Sequence, residues 1–285
     1  MAVNNTLAKR TQKTGITAFL NSMNVAANID QALGKENRQR FITGVISAVN
    51  NNEALKECTN QSILSGALLG ESLKLSPSPQ LCHYYLVPFN DKNKGKVAQF
   101  QLGYKGYIQL AIRSGQYKKL NVLAIKEGEL EYFDPLNEEI KINLMIDKWD
   151  EREEAETIGY YAMFELTNGF KKAIYWSKKQ MENHALKYSA GYKAKKGYTF
   201  WEKNFDGMAY KTMLRQLISK WGIMSIDMQQ AFENDMTFTD NSGKVNYVEA
   251  DDDVIDMAQP EDQKEKAETQ ETKQATDARS ALFGK

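Results

Sequence analysis

The sequence predicts an α+β fold, an antiparallel sheet with helices packed on it, ending in an acidic tail. Three observations carry this. Apolar residues recur with a helical period over residues 36–50, 60–74 and about 206–220. Short turn-bounded apolar or alternating runs fall at 81–89, 97–104, 120–125, 130–133, 140–146, 158–166 and 170–176. Asn168-Gly169 separates the last two runs, and Asn-Gly between such segments is a strong hairpin signal. Closely spaced strands pair antiparallel, because a parallel pair needs a long crossover.

The elements follow in order. Residues 1–35 are polar and Asn-rich, with a short apolar pattern at Ile16, Phe19, Leu20 and Met23, and read as a mobile arm containing a weak helix. Phe41, Ile42, Val45, Ile46 and Val49 mark the first core helix. Ile63, Leu64, Ala67, Leu68 and Leu75 mark the second, with Thr59 or Asn60 as its cap and Ser76-Pro77-Ser78-Pro79 as its stop. Gly66 and Gly70 on this helix suit a close backbone approach. A hairpin with the basic tip Asn90–Lys96 comes next, then a short helix, Tyr104–Ser114, closed by Gly115. Ile140, Ile142, Leu144 and Ile146 alternate cleanly, which predicts a strand with one buried face. Ser177 and Gln180 form a capping box, with Trp176 and Met181 as its staple, for a helix reaching about Tyr188. Gly191–Thr199 is a basic loop. The helix from about Asp206 to Lys220 has Ala209, Met213, Leu217 and Trp221 as its inner stripe, and Gln229–Phe232 adds a turn. Periodicity ends near Thr237. The chain thus divides into an arm (1–35), a core (36–236) and an acidic, disordered tail (237–285) suited to partner binding.

Hydrophobic residues make up 42% and aromatics 11% of 285 residues, enough for a real core. Two cysteines form no disulfide scaffold. The first thirty residues lack an apolar signal region, and no run approaches 18 apolar residues, so a soluble intracellular protein with no membrane role is expected. The formal net charge is 0, yet the charges are segregated: +8 over Lys92–Lys126, −9 over Glu127–Glu156, +9 over Lys171–Lys220 and −6 from Glu249 to the end. Aromatics interleave both basic blocks. Ammonium and guanidinium groups meet phosphates and rings stack on bases, so the mixture fits a single strand of nucleic acid better than duplex alone.

Catalytic constellations are weak. The sequence has no phosphate-binding loop ending in Gly-Lys-Ser/Thr and no Gly-x-Ser-x-Gly elbow. His83 and His184 stand outside any Cys/His ligand spacing and read as packing or surface residues. Asp134, Asp147 and Asp150 could serve a two-metal nuclease, but they lie in a dense charge run. No catalytic residue, cofactor or protein-held metal site is predicted; Mg²⁺ is left as a modulator of strand binding.

The binding reading has local geometry. Lys105, Gln109 and Arg113, spaced i, i+4, i+8, form a helical stripe about 12 Å long. Lys118 and Lys119 follow it. Lys211 and Arg215 are i, i+4 on the later helix, and an arginine can fork onto a phosphate. Tyr104 and Tyr107 are either core or base-stacking rings. Tyr198 and Trp201 stand beside Lys193, Lys195, Lys196 and Lys203 in a loop that either closes over nucleic acid or is ordinary surface. Gly103 and Gly106 suit a backbone approaching a phosphate. The two basic stretches are expected to share one cleft.

Three stretches together resemble the RecT family of phage single-strand DNA annealing proteins. They are Glu57–Leu64 running through Gly66–Gly70 to Leu75-Ser76-Pro77; Phe100–Ala111 with Arg113-Ser114-Gly115; and Trp201, Met208, Lys211-Thr212, Leu214-Arg215 and Leu217. The likeness covers roughly 36–236. It implies a core distantly like that of the eukaryotic annealing protein Rad52. It also implies ATP-independent coating of single-stranded DNA, annealing of complementary strands in recombination, and assembly into a ring or helical filament. The implied partners are the strand, the annealed duplex, a phage exonuclease and the host single-strand binding protein, in the bacterial cytoplasm. By the same likeness Lys105, Arg113, Lys211 and Arg215 fall where the family grips DNA. A sequence-nonspecific RNA-binding or packaging protein is the alternative, with a metal-dependent nuclease behind it.

Overall fold

The computed structural model describes residues 15–78, 80–91, 95–197, 199–235, 237–239 and 245–247. Helices α1 (Ile16–Leu20), α2 (Met23–Leu33), α3 (Lys35–Asn50) and α4 (Asn60–Ser72), with a 3-10 turn at Glu53–Glu57, precede the hairpin β1 (Tyr84–Asp91) and β2 (Gly95–Leu102). Next come α5 (Tyr104–Ser114), β3 (Tyr117–Lys126), β4 (Leu130–Asp134), β5 (Glu139–Ile142), α6 (Trp149–Glu154), β6 (Thr157–Leu166) and β7 (Lys171–Ser177). The rest comprises α7 (Lys178–Tyr188), α8 (Ala190–Lys193), α9 (Phe200–Lys203), α10 (Phe205–Trp221), α11 (Ile226–Asn234), β8 (Thr237–Thr239) and β9 (Val245–Tyr247). The described strands form three sheets, β1-β2-β8-β9, β3-β6-β7 and β4-β5, and every pairing is antiparallel, as an α+β fold requires.

Two apolar clusters organise these elements. One unites α1–α5, the first hairpin and α11 around Phe41, Val45, Ile63, Phe100, Leu110 and Met228. The other lies between the β3-β6-β7 sheet and helices α7 and α10, around Tyr160, Ala162, Phe164, Met181, Met213 and Leu217. Tyr117, Leu120 and Val122 of β3 pack on both, so α5 and α10 sit at the seam. Local chemistry sets the ends. The Thr59 hydroxyl accepts the Ser62 N–H, and the Ser62 hydroxyl accepts the Ala98 N–H at 2.8 Å, which ties α4 to β2. Ser177 and Gln180 make the expected reciprocal cap of α7. Gly115 (φ +68°) closes α5 in the left-handed conformation, and Gly169 (φ +89°) turns β6 into β7.

Several expectations are corrected. Within the stretch expected to be an arm, residues 16–33 form two docked helices with Leu20 and Ile29 fully buried. Val25, Ile29 and Leu33 recur every four residues, a stripe hidden among Asn and Ala, and Arg38 pairs with Asp30 at 2.7 Å. Residues 1–14 lie outside the described residues. At the other end β8 pairs with β2, Thr237 opposite Phe100, and with β9, so ordered chain continues past the expected boundary; residues 248–285 also lie outside the described residues. The alternation over 140–146 does not bury a face: β5 stops at Ile142, and Leu144 and Ile146 are exposed. Trp221, placed on the inner stripe of α10, is 47% exposed, because the helix ends there. At Gly66 and Gly70 the close approach comes from the side chains of Leu86 and Tyr84, not from a backbone.

Candidate nucleic-acid interface

α5 is the spine of the interface. Gly106, Tyr107, Leu110 and Ala111 face the core, which turns Lys105, Gln109 and Arg113 outward along the opposite side. Lys105 and Arg113 are exposed and Gln109 is half-buried. Arg113 also donates to the Leu73 carbonyl at 2.7 Å, so its guanidinium is braced against the C-terminus of α4. His83 stands beside this stripe. Its Nδ1 accepts the Ser76 N–H at 3.3 Å, and burial, with the positive charges of Arg113 and Lys105, lowers its pKa. A neutral imidazole so fixed presents Nε2–H as a donor. Nothing in the sequence spacing marked His83, because the contact depends on the segment before β1 lying against the start of α5.

That contact also corrects the reading of Gly103 and Gly106. Their missing side chains make room for the carbonyls of Cys82 and His83, and Gly103 N–H donates to the His83 carbonyl at 2.8 Å. The backbone just before β1 fills the space expected for a phosphate.

Lys211 and Arg215 are not a free stripe. Both turn inward onto Asp235, at 3.1 and 2.9 Å. The Asp235 carboxylate is fully buried and also accepts the Leu102 N–H at 2.8 Å and the Tyr107 hydroxyl at 3.0 Å. Burial by itself would raise the Asp235 pKa; Lys211 and Arg215 outweigh it and hold the carboxyl below the usual range. Lys211 is 8% exposed, and Arg215, with its side chain 21% exposed, also donates to the Tyr107 hydroxyl at 3.1 Å. Tyr107 is wholly buried, with its ring against Phe232, so base stacking is ruled out for it. Tyr104 is half-buried, edge-on to Tyr210 at 5.6 Å.

The basic loop is braced from within. Thr199 and Glu202 form a capping box, and Glu202 also accepts the Gly197 N–H at 2.8 Å. This register turns Trp201 inward, 7% exposed, among Tyr192 and Phe205, and corrects its reading as a stacking ring. Phe200 is the exposed ring, 40% accessible, and it meets Tyr85 at 5.5 Å. Tyr85 in turn lies against Gly103, so the loop reaches the start of α5. Lys193, Lys195, Lys196 and Lys203 are exposed and, like Lys105, carry no ion pair among the described residues. Tyr198 lies outside the described residues, as do Lys92 and Lys94 of the hairpin tip.

Beyond Gly115 the chain enters β3, where Lys118 and Lys119 meet Glu165. The acidic stretch meets the second basic block at two points, Glu138 pairing with Lys172 and Glu156 with Lys178. Glu129 is its buried node, accepting from Arg152 Nε at 2.6 Å and from the Lys126 and Met145 N–H groups. Beside it, in the segment that Met145 and Arg152 anchor to Glu129, the exposed acids Asp147 and Asp150 adjoin the exposed apolar side chains of Ile146 and Trp149. Asp134 is engaged by the turn it starts, accepting the Leu136 N–H at 2.8 Å. Among the described residues no three His, Cys, Asp or Glu gather as a metal site, and no helix is long and apolar enough to cross a membrane.

The RecT family model matches residues 39–252. The chain is 38% identical over 263 residues to the uncharacterized protein YqaK of Bacillus subtilis (strain 168), covering 92% of this chain and 87% of that protein. It is 29% identical over 229 residues to protein RecT of Escherichia coli (strain K12), covering 79% and 81% of the two chains.

Proposed function

The chain belongs to the RecT family, and from that premise we propose that it binds single-stranded DNA and anneals complementary strands in phage-type recombination, without ATP and as an oligomer. The observation that supports this best is the run of exposed cations from Lys193, Lys195, Lys196 and Lys203, past Phe200, to Lys105 and along α5 to Arg113. Annealing forms no covalent bond. It needs two polyanions to approach and bases left free to pair. Cations on the backbone supply the first. An open path with one exposed ring, rather than a closed pocket, suits the second. Correct pairing then gains stacking of about 1.4 kcal/mol per step, which a mismatch loses.

Lys211 and Arg215 act one layer down in this reading. Two cations share one carboxylate, and the surplus positive charge sits behind α5, where it adds to the field at the surface. The acidic, apolar surface of one subunit pairs with the basic surface of the next to build the oligomer. A phage exonuclease and the host single-strand binding protein are the partners proposed, with no cofactor and no catalytic step. The test mixes two dye-labelled complementary oligonucleotides with the protein, without nucleotide or metal. Fast, protein-dependent annealing that fails for non-complementary strands is expected. A signal no faster than spontaneous pairing overturns the reading.

A further inference from the structure

We propose that Lys118, Lys119 and Lys171 form one phosphate-binding site at the end of the β3-β6-β7 sheet, organised by Glu165, which grips the DNA strand beyond α5; this rests on the strand-binding reading above.

A β-bulge carries the inference. In a regular strand consecutive side chains point to opposite faces, so one of Lys118 and Lys119 would face the apolar layer under the sheet. The register breaks here. Tyr117 pairs with Leu166 and Lys119 with Glu165, two steps along β3 against one along β6. Lys118 is the inserted residue, and the bulge re-aims it. Tyr117 keeps its inward place against Phe164, while both lysines reach the same carboxylate, Lys118 at 2.8 Å and Lys119 at 3.7 Å. Lys171 pairs with Glu165 from the other neighbouring strand and comes within 3.5 Å.

The charges do not balance. The Glu165 side chain is 7% exposed, while the three lysine side chains are 61–65% exposed. The Lys118 hydrogen bond and the three ammonium charges hold the Glu165 carboxyl below its usual range, so it stays ionised and the cluster carries a surplus of two positive charges. One lysine would satisfy one carboxylate. Three ammonium groups drawn to one point repel each other, and a second anion relieves that repulsion. Their exposed ends lie close enough to meet neighbouring phosphates of one backbone. Lys172, the next residue on β7, makes the contrast: it is 8% exposed, paired with Glu138 and seated over the Trp221 ring at 3.8 Å.

The test measures binding of a long single-stranded oligonucleotide by the full chain across a salt series, with thermal unfolding to show that each variant folds. The triple variant Lys118→Ala, Lys119→Ala, Lys171→Ala should lower the slope of log K against log salt by about 2, since each phosphate contact on a single strand contributes about 0.7. Lys148→Ala, on the acidic surface, should leave the slope unchanged. Glu165→Gln frees the lysines from their competitor and should tighten binding severalfold. A folded triple variant with an unchanged slope, or a Glu165→Gln variant with unaltered affinity, overturns the site. Absence of salt-dependent binding in the unaltered chain overturns the annealing reading itself.

Discussion

Asp235 shows what a single residue does here. It is buried at the end of α11 and accepts from Leu102, Tyr107, Lys211 and Arg215, so one carboxylate ties β2, α5 and α10 together. Removing the negative charge leaves the buried Lys211 and the part-buried Arg215 uncompensated. Asp235→Asn should therefore cost about 3 kcal/mol, measured by urea unfolding. The pH dependence follows from the depressed carboxyl. The stabilisation is fully present above the unfolded value near 4 and is lost as pH falls through the lower folded value. The unaltered chain should lose stability steeply below about pH 4, and Asp235→Asn should flatten that loss. An Asn variant with the same acid slope would remove Asp235 from this role. The sequence did not reveal the node. Lys211 and Arg215 have the spacing of a surface stripe, and their partner lies in a different helix, so the helical period alone cannot tell a phosphate ligand from an internal pair.

At the scale of elements, what is written locally could be read in advance. The Thr59 and Ser177 caps, the Asn168-Gly169 turn and the Gly115 stop depend on neighbouring residues, and each stands where the sequence puts it. Elements fixed by tertiary contact were harder. Alternation at 140–146 gave no buried face, because β5 stops at Ile142 and Leu144 and Ile146 beyond it stay exposed. The α9 loop shows the same limit for the interface. Its lysines were legible as a cluster, but the choice between Phe200 and Trp201 turns on the register of one capping box. That register yields a paired prediction. Trp201→Ala empties a packed site and should lower stability by about 3–5 kcal/mol. Phe200→Ala should leave the unfolding midpoint nearly unchanged while weakening strand binding by about 1–3 kcal/mol if a base stacks there. Thermal unfolding and fluorescence anisotropy on both variants separate the roles, and the reverse pattern would exchange them.

For the molecule as a whole, the arm and tail boundaries matter first. β8 pairs with β2 and β9 with β8, so strand pairing reaches Tyr247. A chain ending at Tyr247 should fold and anneal, whereas one ending at Asn234 loses both β8 and Asp235 and should unfold at lower temperature; a circular-dichroism melt and the annealing assay check both. Assembly is the larger question. Glu138 and Glu156 are spent on Lys172 and Lys178 of the same chain, but the exposed acids Asp147 and Asp150 remain to complement the exposed lysines Lys195 and Lys196 of another copy. Such a contact is heterologous, and repeated it closes into a ring or runs on as a filament. Beside those acids Ile146 and Trp149 are exposed, side chains that gain by being covered. Charge steering over such a surface weakens once the screening length falls from about 10 Å at 0.1 M salt to about 3 Å at 1 M. Oligomers without DNA should therefore shrink as salt rises. Asp147→Lys with Asp150→Lys should shrink them at low salt, and Lys195→Glu with Lys196→Glu should do the same by weakening the other half of the contact. Combining the four substitutions restores opposite charges across the interface and should recover the larger species, because the coupling depends on the pair and not on either surface alone. Sedimentation velocity of the DNA-free protein reads all four cases. A combined variant no larger than its parents would mean that the two surfaces do not meet.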